Sequence, residues 1–383
     1  MQRPFSTSML WILLVSGISF VACNKSAFTP NPFEGDVFLR SQAEVDEFGE
    51  KGYNVITGNL HIGKGFGPYG APVGITDIVS LLPLREIISV SGNIEIVNNP
   101  ELASLAGLST LNTAGSIILQ YNAILENIQA LSGLESIENH LILQGNSQLA
   151  SLRGLERITK IPGDLTIEFN PKLENFAGLE NLESIGSLQL RDNESLGSID
   201  HLESLVKLEH LGITYSPLIN SLAVFKNITS LPRGLGLEEL SALTSLEGLH
   251  NVESIGGFLG IWRTGLTSLE ELSSLQTLDR TLKIIGNDHL TSLDGLENIS
   301  SIGGYGLEIS DNEALVSIEG LSNLHFVSFK FTITNNELLA DFCPLNKLFT
   351  NTDFLNRENE RTNIRGNSYN PSEEDFLYDQ CKP

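Results

Sequence analysis

Aliphatic residues recur along most of the chain in one pattern, L-x-I-x-x-N-x-x-L-x-S-L-x-G-L-x-x-L-x-x-I-x-G, where L and I stand for any aliphatic residue. Leu141, Leu143, Asn146, Leu149, Ser151, Leu152, Gly154 and Leu155 fit it, as do Leu165, Ile167, Asn170, Leu173, Phe176, Gly178, Leu179, Leu182 and Ile185. The opening aliphatic recurs at Leu60, Ile94, Ile117, Leu141, Leu165, Leu188, Leu211, Leu235, Leu259, Leu282, Leu307 and Phe331. These are twelve copies, and after the first gap their spacing stays between 23 and 25 residues.

The L-x-I pair alternates inward and outward, so each copy opens on a short strand with one buried face. The period is too short for paired helices and lies in the leucine-rich range. One copy cannot bury its own aliphatic residues, whereas stacked copies form a continuous apolar column. The expected fold is a β-solenoid, a right-handed parallel β-helix or leucine-rich-like array of about twelve coils. At about 4.8 Å per strand it would be a rod roughly 55–60 Å long.

An Asn stands five residues after the strand start at Asn99, Asn122, Asn146, Asn170, Asn193, Asn287, Asn312 and Asn336. A stacked amide at a bend can satisfy backbone groups of its own coil and of the next, so these are structural residues. Coils seven to nine interrupt the ladder with Ser216, Leu240 and Thr264. With Pro232 nearby, the stretch 211–265 reads as a bend or a seam between two halves, with a functional site as the alternative. Ser41-Gln42-Ala43-Glu44, followed by Val45 and Phe48, predicts a capped amphipathic helix over the first coil. Residues 343–383 would cover the last.

Composition adds the compartment. Arg3 precedes an apolar run, 9–20, that is too short to span a bilayer and leads to Phe20-Val21-Ala22-Cys23. This has the form of a cleavable signal peptide, and Ala22-Cys23 resembles a bacterial lipobox in which the cysteine is lipidated. The organisation expected is signal peptide 1–22, polar tether 23–34, solenoid 35–342 and C-terminal cap 343–383. The location follows as the bacterial cell envelope, lipid-anchored, with the outer membrane as the expected site. The other two cysteines, Cys343 and Cys381, form an even pair and read as a disulfide in an exported chain. The net charge of −24, from 23 basic and 47 acidic residues, argues against nucleic-acid partners.

Catalytic and cofactor signatures fail on geometry. Gly58-x-x-x-x-Gly63-Lys64 lacks the Ser/Thr that a phosphate loop gives to magnesium. Gly65-x-Gly67-x-x-Gly70 is followed by Ala71-Pro72 rather than by a helix whose amides would anchor a phosphate. His140 and His210 share a column but stand three coils apart, roughly 14 Å, too far for one metal ion. Asp164 and Glu168 are separated by roughly 13 Å, beyond the roughly 5–9.5 Å of a glycosidase pair. Glu168 is expected to pair instead with Arg191 one coil away. No metal, cofactor or catalytic residue is assigned. Tyr121, Phe169 and Tyr215 stand just before the ladder position two coils apart, and Trp262 one residue earlier on coil nine. Facing outward, they would form a stacking strip for sugar rings or a protein partner; the alternative is aromatic filling at bends.

The segments Phe38-Leu39-Arg40-Ser41-Gln42-Ala43-Glu44-Val45, Gly58-Asn59-Leu60-x-Ile62 and Gly295-Leu296-x-x-Ile299-x-x-Ile302-x-Gly304 resemble the receptor L-domain family. That family has a leucine-rich-like β-helix, found in growth-factor receptor ectodomains and in bacterial surface proteins. The resemblance covers residues 35–343 and implies the fold and a binding role for the sheet face. Twelve coils exceed one such domain. Together these readings indicate a non-catalytic envelope recognition or adhesion lipoprotein that binds protein or glycan. A polysaccharide-active β-helix enzyme and a structural envelope spacer are the alternatives.

Overall fold

The computed structural model describes residues 29–65, 74–355 and 361–383, and the lipobox residue Cys23 lies outside them. Residues 31–383 form one compact unit. It is a parallel β-solenoid whose main sheet contains 17 strands. The opening aliphatics of all twelve copies pair in register from coil to coil, for example Leu141 with Leu165, Leu165 with Leu188 and Leu188 with Leu211. The sheet runs on in the same register through Leu211, Leu235 and Leu259, so no gap in pairing marks coils seven to nine.

The stack is longer than the twelve-copy repeat. Val37 pairs with Leu60 before the first copy, and Phe331 pairs with Thr362 after the last, which gives fourteen rungs. Each cap therefore carries a strand that extends the sheet. The helix Gln42–Glu50 follows the first of these strands, with Ser41 Oγ accepting the Glu44 amide at 3.3 Å. It buries Val45 and packs on Leu82–Leu84. Residues 31–34, assigned above to the tether, belong to the fold. Pro32–Phe33 pairs with Val55–Ile56, and the Phe33 ring packs edge-on against Phe48 and Tyr53. Two aromatic neighbours give Phe33 an apolar environment that a solvated tether would lack.

Each coil folds its aliphatic residues inward around three sides. Leu141 and Leu143 come from the main strand, Leu149, Leu152 and Leu155 from the connecting turns, and Ile161 from the start of the long strand Lys160–Glu168; all are fully buried. At about 1.5–3 kcal/mol per side chain, such burial is the main stabilisation, and it exists only between stacked coils. The glycine of the S-L-x-G motif sits where coils nearly touch. Gly154 has φ +116°, and a Cβ there would lie 2.3 Å from the Ile128 carbonyl. At the C-terminal end Cys343 and Cys381 are disulfide-bonded, and Phe349, Phe354 and Phe376 cover the Phe331 coil.

The Asn column is a hydrogen-bond ladder with a direction, in two runs. Asn170 Nδ2 donates to the Leu143 carbonyl of the preceding coil and to the Glu168 carbonyl of its own, both at 2.9 Å. Its Oδ1 accepts the backbone amide of Asn146 at 3.1 Å. The bond to the preceding coil's carbonyl and the backbone amide on Oδ1 recur at Asn122, Asn146, Asn312 and Asn336, all fully buried, and the own-coil bond recurs at Asn146 and Asn336. Two positions extend the ladder: Asn367 serves Asn336 as the next member would, and Thr76 donates its hydroxyl to Asn99 Oδ1 at 2.7 Å. The break is confined to coils seven and eight. Ser216 turns its hydroxyl back to the Thr214 carbonyl, and Leu240 is simply buried. Thr264 restarts the ladder by donating its hydroxyl to Asn287 Oδ1 at 2.8 Å, so a threonine heads each run.

Asn170→Ala would orphan the Asn146 amide and the Leu143 carbonyl in a dry interior. We expect it to lower the unfolding free energy by about 2–4 kcal/mol. Urea denaturation followed by circular dichroism checks this, and an unchanged midpoint would contradict a structural role for the ladder.

Candidate functional site

The residue just before the ladder position adopts a left-handed backbone in coil after coil: Asn98, Tyr121, Gly145, Phe169, Asp192, Tyr215, Glu239, Arg263, Gly286, Asp311 and Asn335. Gly, Asn and Asp suit that conformation, whereas Tyr, Phe, Glu and Arg adopt it at a cost of about 1–2 kcal/mol. Tyr121, Phe169 and Tyr215 therefore sit on the bend at the edge of the main sheet, exposed by 40, 42 and 40%. Tyr121 and Phe169 line one hollow of about 480 Å³ with Pro171, Asp192 and Glu194, and the Tyr121 ring lies against Gly145 between them. Tyr215 lies outside that hollow. Trp262 is placed differently: it stands on the face of the sheet, half-buried, in register with Glu238. The four residues thus do not form one strip.

The larger hollow lies where the sheet face becomes bare. Gly212, Gly236 and Gly260 are paired in register on coils seven to nine, a row of outward positions without side chains. In the strand Phe258–Thr264, Phe258, Gly260 and Trp262 alternate onto this face. Gly260 leaves room for the indole: a Cβ there would lie 1.8 Å from the six-membered ring. Phe258 leans over Gly236 in the same way, at 3.1 Å. The two rings have centroids 6.2 Å apart and planes inclined by 47°, forming an open notch. Around it is a hollow of about 600 Å³, to which Tyr305, Arg233, Arg280 and Lys283 contribute from the neighbouring coils. Tyr305 is 77% exposed.

Sequence reasoning found Trp262 but missed Phe258, Tyr305, Arg233, Arg280 and Lys283. The alternation Phe258-Leu259-Gly260-Ile261-Trp262 was the available signal for Phe258. Arg233, Arg280 and Tyr305 each stand two residues before an opening aliphatic, and Lys283 shares the outward position of Gly260; the period places them in columns, but other coils carry Glu209 or Gly257 there, so residue type gave no signal.

The polar groups looked for as catalysts are held by other contacts. Asp164 lies 3.5 Å from His140 Nδ1 and 3.4 Å from the Arg233 guanidinium. Glu168 accepts Gln144 Nε2 at 3.0 Å, and Arg191 turns to Asp192 at 3.1 Å while lying over the Phe169 ring. The expected Glu168–Arg191 pair is therefore not formed, because each partner has a nearer one. His210 approaches Ser187 Oγ at 3.2 Å and accepts Gln189 Nε2 at 2.9 Å on Nδ1. Ser187 is fully buried, so this contact orients the ring and presents no nucleophile. Among the described residues no three potential metal ligands cluster, and no helix is long and apolar enough to cross a membrane. Gly67 and Gly70, with Phe66 and Tyr69, lie outside the described residues.

No family model matches the chain, and no curated protein matches it significantly. Among solved structures it is similar to an internalin from Listeria monocytogenes, at 14% identity and a TM-score of 0.45, over 84% of this chain and 88% of that one.

Burial pushes His210 below the ordinary histidine range, and the Arg233 guanidinium adds to this against the opposing pull of Asp164. The unfolded chain then binds a proton that the folded chain resists, so stability decreases as pH is lowered. The contribution is fully present above the unfolded value of about 6.5 and is lost as pH drops through the lower folded value. His210→Gln should flatten the decline in melting temperature between about pH 7 and pH 5.5. Parallel thermal melts of the two proteins measure it, and equal slopes would remove His210 as the cause.

Proposed function

We propose that this chain is a lipid-anchored recognition protein of the bacterial cell envelope that binds a partner, without turning it over, through the sheet face of coils eight to eleven. The observation that carries the reading is the notch of Phe258 and Trp262 above a row of glycines. Exposed aromatic rings beside cations are what recognition sites use for orientation and affinity. The geometry around the acidic residues supports the non-catalytic part, since Asp164 and Glu168 are each engaged by neighbours. The resemblance to receptor L domains supports the sheet face as the working surface. The anchor rests on Ala22-Cys23 behind the apolar run 9–20.

Two experiments test the two halves. Full-length protein in detergent micelles, used as bait for envelope proteins and glycans, should retain a partner that Trp262→Ala loses by about 30-fold or more in affinity. Retention of every partner by Trp262→Ala would move recognition away from this face. Separately, cells fed a clickable fatty acid should label the protein, and Cys23→Ser should abolish the label and release the protein from the membrane fraction. Persistent labelling of Cys23→Ser would refute the anchor.

A further inference from the structure

We infer that the hollow of coils eight to eleven takes a carboxylated saccharide, of the uronic- or sialic-acid type. This deepens the recognition function proposed above and rests on it. The first argument is charge. The chain carries a net charge of −24, yet three of its 23 basic residues, Arg233, Arg280 and Lys283, line this hollow and no carboxylate does. The neighbouring acids do not cancel all three charges. No ion pair among the described residues engages Arg280, which is exposed. Lys283 and Lys330 share the single carboxylate of Glu308, at 3.3 and 3.5 Å, which leaves that group net positive. Arg233 alone has a matching acid, Asp164, at 3.4 Å. Glu238 stands beside Trp262 on the adjoining coil, outside the lining. A positive pocket on a strongly negative surface selects anions, and a guanidinium fits a carboxylate through two parallel hydrogen bonds.

The second argument is shape. Phe258 and Trp262 present ring faces inclined by 47°, and Tyr305 joins the lining from a neighbouring coil. Pyranose rings offer flat patches of C–H that stack on such faces, while their hydroxyls and carboxylate remain for the cations at the rim. Gly236 and Gly260 let the two rings lie close on the sheet, Phe258 over the first and Trp262 over the second, and the bare backbone of Gly256 and Gly257 completes the lining. The volume of about 600 Å³ suits a short glycan segment within the roughly 300–1,000 Å³ of small-ligand sites, rather than a broad protein epitope.

Isothermal titration of full-length protein in detergent micelles tests the inference. The probes are tetragalacturonate and 3′-sialyllactose, with galactotetraose and lactose as their neutral counterparts and hexaglutamate as an acidic peptide. At least one acidic saccharide should bind tenfold or more tightly than its neutral counterpart, and the binding should weaken as salt is raised. Arg280→Gln with Lys283→Gln should cost tenfold or more and flatten the salt dependence, with an unchanged circular dichroism spectrum showing an intact fold. Equal binding of neutral and acidic sugars would overturn the charge selectivity, and tighter binding of hexaglutamate would make the occupant an acidic peptide. Failure of all five probes also overturns the inference. If envelope extracts then still yield a partner dependent on Trp262, recognition survives and only the ligand class falls; without such a partner both fall.

Discussion

A buried amide with partners on both sides governs this molecule. Every coil must turn a corner after its main strand, and the corner leaves a backbone carbonyl and a backbone N–H inside a dry column. Water cannot reach them, so the ladder asparagines must. Each asparagine reaches back to the carbonyl of the coil before it, and its own N–H waits for the coil after it. Burial of the aliphatic residues drives stacking, but burial is indifferent to sliding. The amides supply the directional bonds that hold the stacked coils in one register.

The same constraint locates the region where the surface departs from the repeat. Where Ser216 and Leu240 replace asparagine, the column is bridged by shape and apolar contact, and the sheet pairing continues undisturbed. On the outer face of those coils the row of glycines begins, and the aromatic notch stands at its end. Interior and exterior therefore depart from the repeat together, in coils seven to nine.

Much of this fold was legible in the sequence, because the period and the asparagine express inward-facing chemistry that cannot vary freely. Two rungs were not. Thr362, Ile364 and Asn367 fit the pattern, yet an intervening cap segment sets Asn367 31 residues from Asn336 and takes it out of the period. Val37 and Leu39 lie one period before Leu60, but their coil carries a helix where the others carry a turn. The hollow was the least legible part. Phe258 and Trp262 are close in sequence, whereas Arg233, Arg280 and Tyr305 share one repeat position, two before the opening aliphatic, whose residue type varies from coil to coil and so drew no notice. The bend aromatics were found as a column, while their left-handed backbone became visible only with the structure.

The one-way ladder gives the array unequal ends. At the N-terminal end of each run the first asparagine offers a side-chain oxygen, which a threonine hydroxyl meets with little rearrangement. At the C-terminal end the last asparagine offers a backbone N–H fixed in position, which cannot rotate toward solvent. Asn367 meets that demand for Asn336, and Asn370, three residues further on, meets it for Asn367 inside a single turn. A chain built this way can gain or lose whole coils in its middle, since each brings one donor and one acceptor of the same kind. It cannot be cut short at its C-terminal end without a purpose-built closure, and here that closure is a self-bonded turn within the cap that the disulfide ties down.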